Sequence, residues 1–138
     1  MLSMTRGRMV LAVVVTLIVC LGLGYAWGAS GRGVVQSALD ESRQQLDLAE
    51  ARGALLDARV SLYNNNFGDA SRRFEDAKVP LRRVKDRYQN AGENQSALSI
   101  DAALRHVDEA QRLSNTLDPT ANARAGEALE AIRVAAQQ

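Results

Sequence analysis

The sequence predicts an all-α protein, in which one N-terminal transmembrane helix precedes antiparallel helix hairpins and a C-terminal capping helix. Three observations support this prediction. Residues 9–27 carry no charged side chain. After Gly33, apolar residues recur in alternating steps of three and four, which places them on one face of a helix. The same region is rich in residues that favour helices, and Pro80 and Pro119 are its only prolines.

The uncharged segment of residues 9–27 predicts a membrane anchor. At a rise of about 1.5 Å per residue, a helix of this length reaches roughly 28 Å, close to the hydrocarbon thickness of a bilayer. Arg6 and Arg8 precede the segment. Tyr25 and Trp27 close its far end, where aromatic rings favour the interface between lipid and water.

Two other interpretations of this segment stay open. The tripeptide AWG before Ala29 fits the small-x-small pattern of a signal-peptide cleavage site. Cys20 follows a short apolar run, as in a lipoprotein signal, although the branched Val19 replaces the small residue that this signal needs. The uncleaved anchor explains the length of the run better. Gly24 and Gly28 also form a small-xxx-small pair, which lets another membrane helix approach closely.

The ends of the anchor, residues 9–28, predict its orientation. Basic residues lie on both sides, so the very short tail of residues 1–8 is the better guide, and it favours a cytoplasmic N-terminus. Arginine far exceeds lysine, a bias common in proteins of GC-rich bacterial genomes. We therefore expect a single-pass protein of the bacterial inner membrane, with the domain of residues 34–138 in the periplasm.

Residues 29–33 predict a flexible joint, and residues 34–64 predict a stalk helix. The stalk carries a heptad stripe, in which steps of four and three alternate. The stripe consists of Val35, Leu39, Ser42, Leu46, Ala49, Gly53, Leu56, Val60 and Tyr63. Ser42 and Gly53 make it a poor self-sufficient coiled coil. We therefore expect the stripe to pack on its own domain or on a partner.

A second helix follows the turn that Asn64 to Asn66 and Gly68 predict, with Asp69 as its expected cap. Its predicted inner face consists of Ala70, Phe74, Ala77, Leu81, Val84 and Tyr88. Pro80 removes a backbone donor in the middle of this helix, so a kink or a break is expected near residues 77–79.

Residues 92–96 predict the next loop, and residues 97–117 predict a third helix that completes the hairpins of residues 69–117. Its expected inner residues are Leu104, Val107, Ala110, Leu113 and Leu117. Asp118 before Pro119 predicts the start of a capping helix over residues 119–136. Its expected inner residues are Ala125, Leu129, Ile132 and Ala136.

Residues 70–77 and 103–110 share the pattern A-x-R-x-apolar-acid-acid-A, 33 residues apart. This period, with small residues around Phe74 and a proline shortly after, resembles the tetratricopeptide repeat over residues 49–117. The first helix lacks the tryptophan of that family, and Pro80 falls slightly early. The resemblance implies stacked helix hairpins with the last helix as a polar cap. The alternative is a small helical bundle in which alanine and acid/base pairs recur by composition.

The residues that carry chemistry are few, and they predict no catalytic, cofactor-binding or metal-binding site. His106 is the only histidine, and Cys20 is the only cysteine and lies in the apolar segment. No nucleophile and base, and no metal-ligand cluster, can be assembled from them. His106 fits an exposed or boundary position better than that of a catalytic base. The region after Gly33 has fourteen basic and sixteen acidic residues, which does not indicate nucleic acid as a partner.

The segment of residues 72–87 is rich in basic side chains. At 100° per residue, Arg72, Arg83 and Arg87 fall within about 60° of one another on a helix. They form the candidate partner-binding patch, suited to anionic headgroups or an acidic protein surface. The alternative is a solvated helix face, because neighbouring acids four residues away can neutralise much of this charge.

These features together predict an interaction protein rather than an enzyme. The leading hypothesis is a small single-pass accessory or scaffold subunit of a bacterial membrane complex of respiratory, photosynthetic, secretion or division type. Its expected partners are other subunits of the complex and the lipid bilayer. The alternative is a membrane-tethered periplasmic adaptor that binds peptides or soluble proteins in a groove between helix hairpins.

Overall fold

The computed structural model describes the backbone of residues 2–137 and the side chains of residues 13–21 and 36–137. The described residues form four helices and no strand, which confirms the all-α class. The helices are α1 (Leu2–Tyr63), α2 (Phe67–Ala91), α3 (Asn94–Asn115) and α4 (Ala121–Ala135). The predicted joint, residues 29–33, lies within the bounds of α1, and its side chains are outside the described set.

The chain divides into two compact units, Met1–Glu41 and Ser42–Gln138. In the first unit, the side chains of residues 13–21 are all exposed. In the part of the chain that the structure describes, no helix is long and apolar enough to qualify as a membrane span. The side chains of the anchor residues that the sequence singles out lie outside the described residues; these are Arg6, Arg8, Gly24, Tyr25, Trp27 and Gly28.

In the second unit, residues 42–63 of α1 pack antiparallel to α2. Asp47, early in this part of α1, binds Arg83 late in α2. Ser61, near the end of α1, donates a hydrogen bond to Asp69 in the first turn of α2, 2.6 Å away. A residue early in this part of α1 therefore contacts a residue late in α2, and a residue at its end contacts the start of α2, as expected for two helices joined by a short turn.

The third helix continues the antiparallel order. Lys85 on α2 contacts Asp101 on α3 at 2.5 Å, whereas Gln111 on α3 donates to the carbonyl oxygen of Ser71, near the other end of α2. His106 in the middle of α3 lies beside Glu127 on α4.

The fourth helix closes the bundle against the first two. Arg59 on α1 donates to Asn122 at the start of α4, with Nε and Oδ1 2.7 Å apart. The hydroxyl of Tyr88 on α2 donates to the carbonyl oxygen of Ala135 at the end of α4. These contacts bring α4 back to α1 and α2, which is the geometry of a closed antiparallel four-helix bundle.

The core of the second unit is built from a few large side chains and many alanines. Phe74, Leu55, Leu81, Ile100 and Ile132 are among its largest fully buried side chains. The fully buried alanines are Ala51, Ala58, Ala70, Ala77, Ala103, Ala110, Ala121, Ala125 and Ala128. Because a methyl group adds little width, these positions let neighbouring helices approach closely.

The inner face predicted for α2 is confirmed, because all six of its residues are buried. The inner faces of α3 and α4 are confirmed in part. Val107, Ala110, Ala125 and Ile132 are buried, whereas Leu104, Leu113 and Leu129 are only partly buried. Leu117 and Ala136 lie beyond the helix ends and are exposed.

The face predicted for α1 packs differently. The buried stripe of this helix is Leu48, Ala51, Leu55, Ala58 and Leu62. Residues of the predicted stripe, among them Leu46, Leu56 and Tyr63, are exposed. Both stripes alternate steps of three and four, so spacing alone does not decide between them. The buried stripe alternates leucine with alanine, and this shape matches the alanine-rich faces of the other helices.

Helix starts and caps also differ from the sequence prediction: α3 begins at Asn94 rather than at Ala97, and α4 begins at Ala121 with Thr120 as its cap, rather than at Pro119 after Asp118. Asn66, not Asp69, caps α2, and its side chain accepts the backbone N–H of Asp69. This frees the Asp69 carboxylate to bind Ser61 and Arg72. Pro80 does not break α2, which continues to Ala91 with the proline ring buried.

The internal repeat corresponds to equivalent positions in the core. Ala70, Phe74 and Ala77 on α2 are fully buried, and so are Ala103, Val107 and Ala110 on α3. The repeated pattern therefore marks the turns through which these two helices enter the shared core.

Replacing Phe74 by Ala should destabilise the second unit strongly. The ring is fully buried, so its removal leaves a cavity, and we expect a loss of about 3–5 kcal/mol in the free energy of unfolding. Urea unfolding of the full chain in mild detergent, followed by circular dichroism, measures this loss. Val79→Ala on the same helix is the control, because Val79 is exposed. Equal effects of the two substitutions would contradict the described core.

Candidate interaction surface

The most distinctive surface of the second unit is an apolar stripe on the solvent side of α1. We call it the outer stripe and define it as Leu46, Ala49, Gly53, Leu56, Val60 and Tyr63. Its large side chains are 51% to 86% exposed. Every large apolar side chain of α1 that is exposed between residues 42 and 63 belongs to this stripe.

The outer stripe and the buried stripe lie on different faces of one helix. At 100° per residue, their centres are about 150° apart. A helix of a single small domain normally buries one apolar face and exposes polar residues on the other. Two apolar faces indicate that α1 packs on its own bundle with one and is available to another molecule with the other.

Charged residues border the outer stripe, with a different sign on each side. Arg52 and Arg59 lie along one flank, and Glu50 and Asp57 lie along the other. Arg59 and Glu50 have partners inside the unit, Asn122 and Arg83 respectively. Among the described residues, Arg52 and Asp57 form no ion pair within 4.0 Å.

The surface ends in a shallow depression where α1 meets α4. Leu56, Val60 and Tyr63 line it from the stripe, and Arg59 and Asn122 form its opposite side. Its lining is mainly aliphatic and aromatic, with polar groups at one edge. Such a depression suits the side chains of a packed helix rather than a small charged molecule.

The predicted basic patch is divided by the tertiary structure. Arg83 and Arg87 are brought together by Asp47, whose carboxylate binds both guanidinium groups. Arg83 also contacts Glu50 at 3.0 Å. Arg72 lies elsewhere on α2 and binds Asp69. The three arginines therefore do not share one site, and each has an acidic partner inside the unit.

Asp47 is the residue on which this ionic contact depends, and sequence reasoning missed it. Its side chain is only 10% exposed. Burial disfavours its charged form, but the hydrogen bonds from Arg83 and Arg87 outweigh burial and hold the pKa of the carboxyl below its usual value. Nothing local marks Asp47, because its partners lie 36 and 40 residues further along the chain.

Lys78 forms a second ionic contact between helices. Its side chain is only 8% exposed, and its amino group lies 2.6 Å from Asp108 and 3.1 Å from Glu75. It also donates to Gln111. Burial opposes its charge, yet hydrogen bonds to Asp108 and Glu75 raise the pKa of Lys78 above its usual value. This lysine holds α3 against α2 and is not free to act as a base.

The two residues that the sequence analysis considered for chemistry lie in different units of the chain. Nδ1 of His106 lies 3.1 Å from Glu127, so the ring joins α3 to α4. Cys20 is exposed in the first unit. Among the described residues, no group of three or more His, Cys, Asp or Glu side chains is arranged to hold a metal ion.

Comparison of the chain with protein-family models, with characterised proteins and with solved structures finds no match. The tetratricopeptide resemblance therefore stays a prediction from the sequence. The class that the fold defines is an all-helical protein, whose first helix has an exposed apolar stripe in the second unit.

Replacing Asp47 by Asn should destabilise the second unit in a pH-dependent way. Hydrogen bonds to charged groups contribute about 1.5–3 kcal/mol each, so we expect a loss of about 2 kcal/mol at pH 7. Because the pKa of Asp47 is lower in the folded state, its contribution is present above its unfolded value of about 3.9. This contribution to stability is lost as the pH falls through the pKa of Asp47 in the folded state.

The difference between the natural chain and Asp47→Asn should therefore be constant above about pH 5 and shrink below about pH 4. Urea unfolding from pH 3 to 7 measures it. Asp86→Asn on α2 is the matched control, because Asp86 is exposed. A constant difference down to pH 3 would show that the two arginines do not hold the Asp47 carboxylate.

Replacing Gly53 by Ala should raise the free energy of unfolding of the second unit. A Cβ added at Gly53 meets no atom within 4 Å, and alanine costs less conformational entropy in a helix. We expect a gain of about 0.5–1 kcal/mol, measured by thermal unfolding at low protein concentration. Gly126→Ala on α4 is the control, since its added Cβ also meets open space. If Gly53→Ala lowered the melting temperature and Gly126→Ala did not, another helix would have to pack against Gly53 even in dilute solution.

Proposed function

We propose that this protein is a membrane-anchored scaffold, whose helical domain associates with other proteins through the outer stripe. The observation that carries the proposal is the exposed apolar face of α1 on a bundle whose other helices are already packed. Burying such a face releases about 25 cal/mol for each Å² of apolar surface, which favours association with a matching helix.

The membrane part of the proposal rests on residues 9–27. The described segment within it, residues 13–21, has only apolar and small side chains, and all of them are exposed around the helix. A helix that is apolar on every side and has no protein neighbours suits a lipid environment. Residues 1–8 would then lie in the cytoplasm and the helical domain in the periplasm.

The scaffold hypothesis fits the second unit better than the peptide-binding adaptor. An adaptor with a groove between its hairpins needs an open inner face. The faces between the hairpins are occupied by Phe74, Leu81 and Ile132, which are fully buried. The apolar surface that remains accessible lies on the outside of α1, where one helix can pack along another.

The basic patch contributes less to this proposal than the sequence predicts. Because Arg83 and Arg87 share Asp47, they hold α2 to α1 and carry little net charge toward a partner. Contact with an anionic surface through Arg72, Arg83 and Arg87 would compete with their acidic partners, Asp69 for Arg72 and Asp47 for the other two.

Charges placed in the apolar segment should release the protein from membranes. An arginine at the centre of a membrane helix costs about 2.5–3.5 kcal/mol, so Leu17→Arg with Ile18→Arg opposes insertion strongly. We expect the natural chain to sediment with bacterial membranes and to resist alkaline carbonate, and the double variant to be extracted. Leu17→Ala with Ile18→Ala is the matched control and should stay in the membrane. A mature mass that starts at Ala29 would overturn the anchor.

A further inference from the structure

We propose that the partner of the outer stripe is a second copy of this chain, and that the two α1 helices form a parallel, two-stranded coiled coil. This proposal deepens the proposed function and rests on it, since it names the partner at the same surface.

The first argument is the spacing of the stripe. Its steps from Leu46 to Tyr63 alternate three and four, which are the a and d positions of a heptad. The segment has 18 residues and a length of about 27 Å. All its large a and d side chains are exposed, so none is used within the bundle. Gly53 makes the stripe a poor coiled coil by itself, but the bundle already holds α1 through its other face, so a second helix with the same repeat can pack its side chains between the large ones.

The second argument is the charge on the flanks, which selects the direction of the partner. In heptad terms, Arg52 and Arg59 occupy g positions, and Glu50 and Asp57 occupy e positions. A parallel pair places the g flank of each helix beside the e flank of the other, so basic residues face acidic ones. An antiparallel pair would place basic beside basic and acidic beside acidic, which is repulsive.

In the parallel arrangement, one basic residue of each copy faces one acidic residue of the other. A g position faces the e position of the following heptad, which is five residues later in sequence. Arg52 of one copy therefore faces Asp57 of the other, and the two-fold axis repeats the contact. Among the described residues, neither of these two flanking charges forms an ion pair, whereas Glu50 pairs with Arg83 and Arg59 donates a hydrogen bond to Asn122. The unit leaves unpaired the charges that a second copy would use.

The membrane anchor gives a third, separate argument. If both copies are anchored by residues 9–27 in one membrane, their helical domains start from the same side. Two helical domains on one side of one membrane have a raised local concentration, which favours their association.

Disulfide cross-linking of the full chain in native membranes tests the arrangement. In a Cys20→Ser background, Val60→Cys places a single thiol at an a position, which lies next to its own copy only in a parallel pair. We expect oxidation to give a dimer from Val60→Cys. Val79→Cys on α2 is the matched control, because Val79 is exposed and off the stripe, and it should give little dimer.

Exchanging the charges of Arg52 and Asp57 tests whether the charged flanks of the two copies face each other. Arg52→Glu or Asp57→Arg alone should lower the Val60→Cys cross-linking yield several-fold, and the two substitutions together should restore it. Leu46→Glu with Leu56→Glu should weaken the dimer at least about tenfold in mild detergent, since four buried leucines per dimer are lost. The same double change should leave the unfolding midpoint of the monomer unchanged, because both leucines are exposed.

The outcomes separate this proposal from the proposed function. A membrane-bound chain that is monomeric, or whose Val60→Cys thiol links only to another protein, overturns the second copy and leaves the scaffold intact. A chain released from membranes that still forms the Val60→Cys dimer supports the coiled coil and overturns the anchor. Equal yields from Val60→Cys and Val79→Cys overturn the coiled coil.

Discussion

Burial of the Leu48 to Leu62 stripe of α1 is the constraint on which the second unit depends. It belongs to one buried core with the alanines and the few large side chains of the three later helices, among them Phe74 and Ile132. Helices can approach closely only where side chains are small. The buried stripe of α1 alternates large leucines with small alanines, so it presents the ridges and grooves that fit such faces. Once this stripe is buried, the opposite face of α1 has no place left in the bundle and stays in contact with solvent.

Ionic contacts then fix how the helices are rotated about their axes. Apolar packing between alanine-rich faces tolerates small rotations, whereas a buried carboxylate does not tolerate the loss of its partners. Asp47 needs both Arg83 and Arg87, and Lys78 needs Asp108 and Glu75. Each of these clusters joins two neighbouring helices, so the charges position the faces that the apolar residues hold together.

Sequence reasoning succeeded where one helix carries one apolar face. The inner face of α2 could be predicted completely, because Ala70, Phe74 and Tyr88 belong to its only periodic stripe. It failed on α1, where two stripes satisfy the same spacing and only the shape of the neighbouring helices selects one. It also found Arg83 and Arg87 but not their partner, since Asp47 lies on another helix and nothing in its neighbourhood marks it.

The sequence by itself determined the helical class, the helix that contains Phe74, the turns near Gly92 and Asp118, and the apolar segment of residues 9–27. These features depend on local conformational preference and on hydrophobic periodicity, and both can be recognised from residues that are close together in the sequence. The tertiary structure alone decided which face of α1 is buried and that Arg83 and Arg87 are held internally. Both outcomes depend on contacts between helices: the partners of Arg83 lie 33 and 36 residues away, and that of Arg87 lies 40 residues away, so only packed helices bring them together.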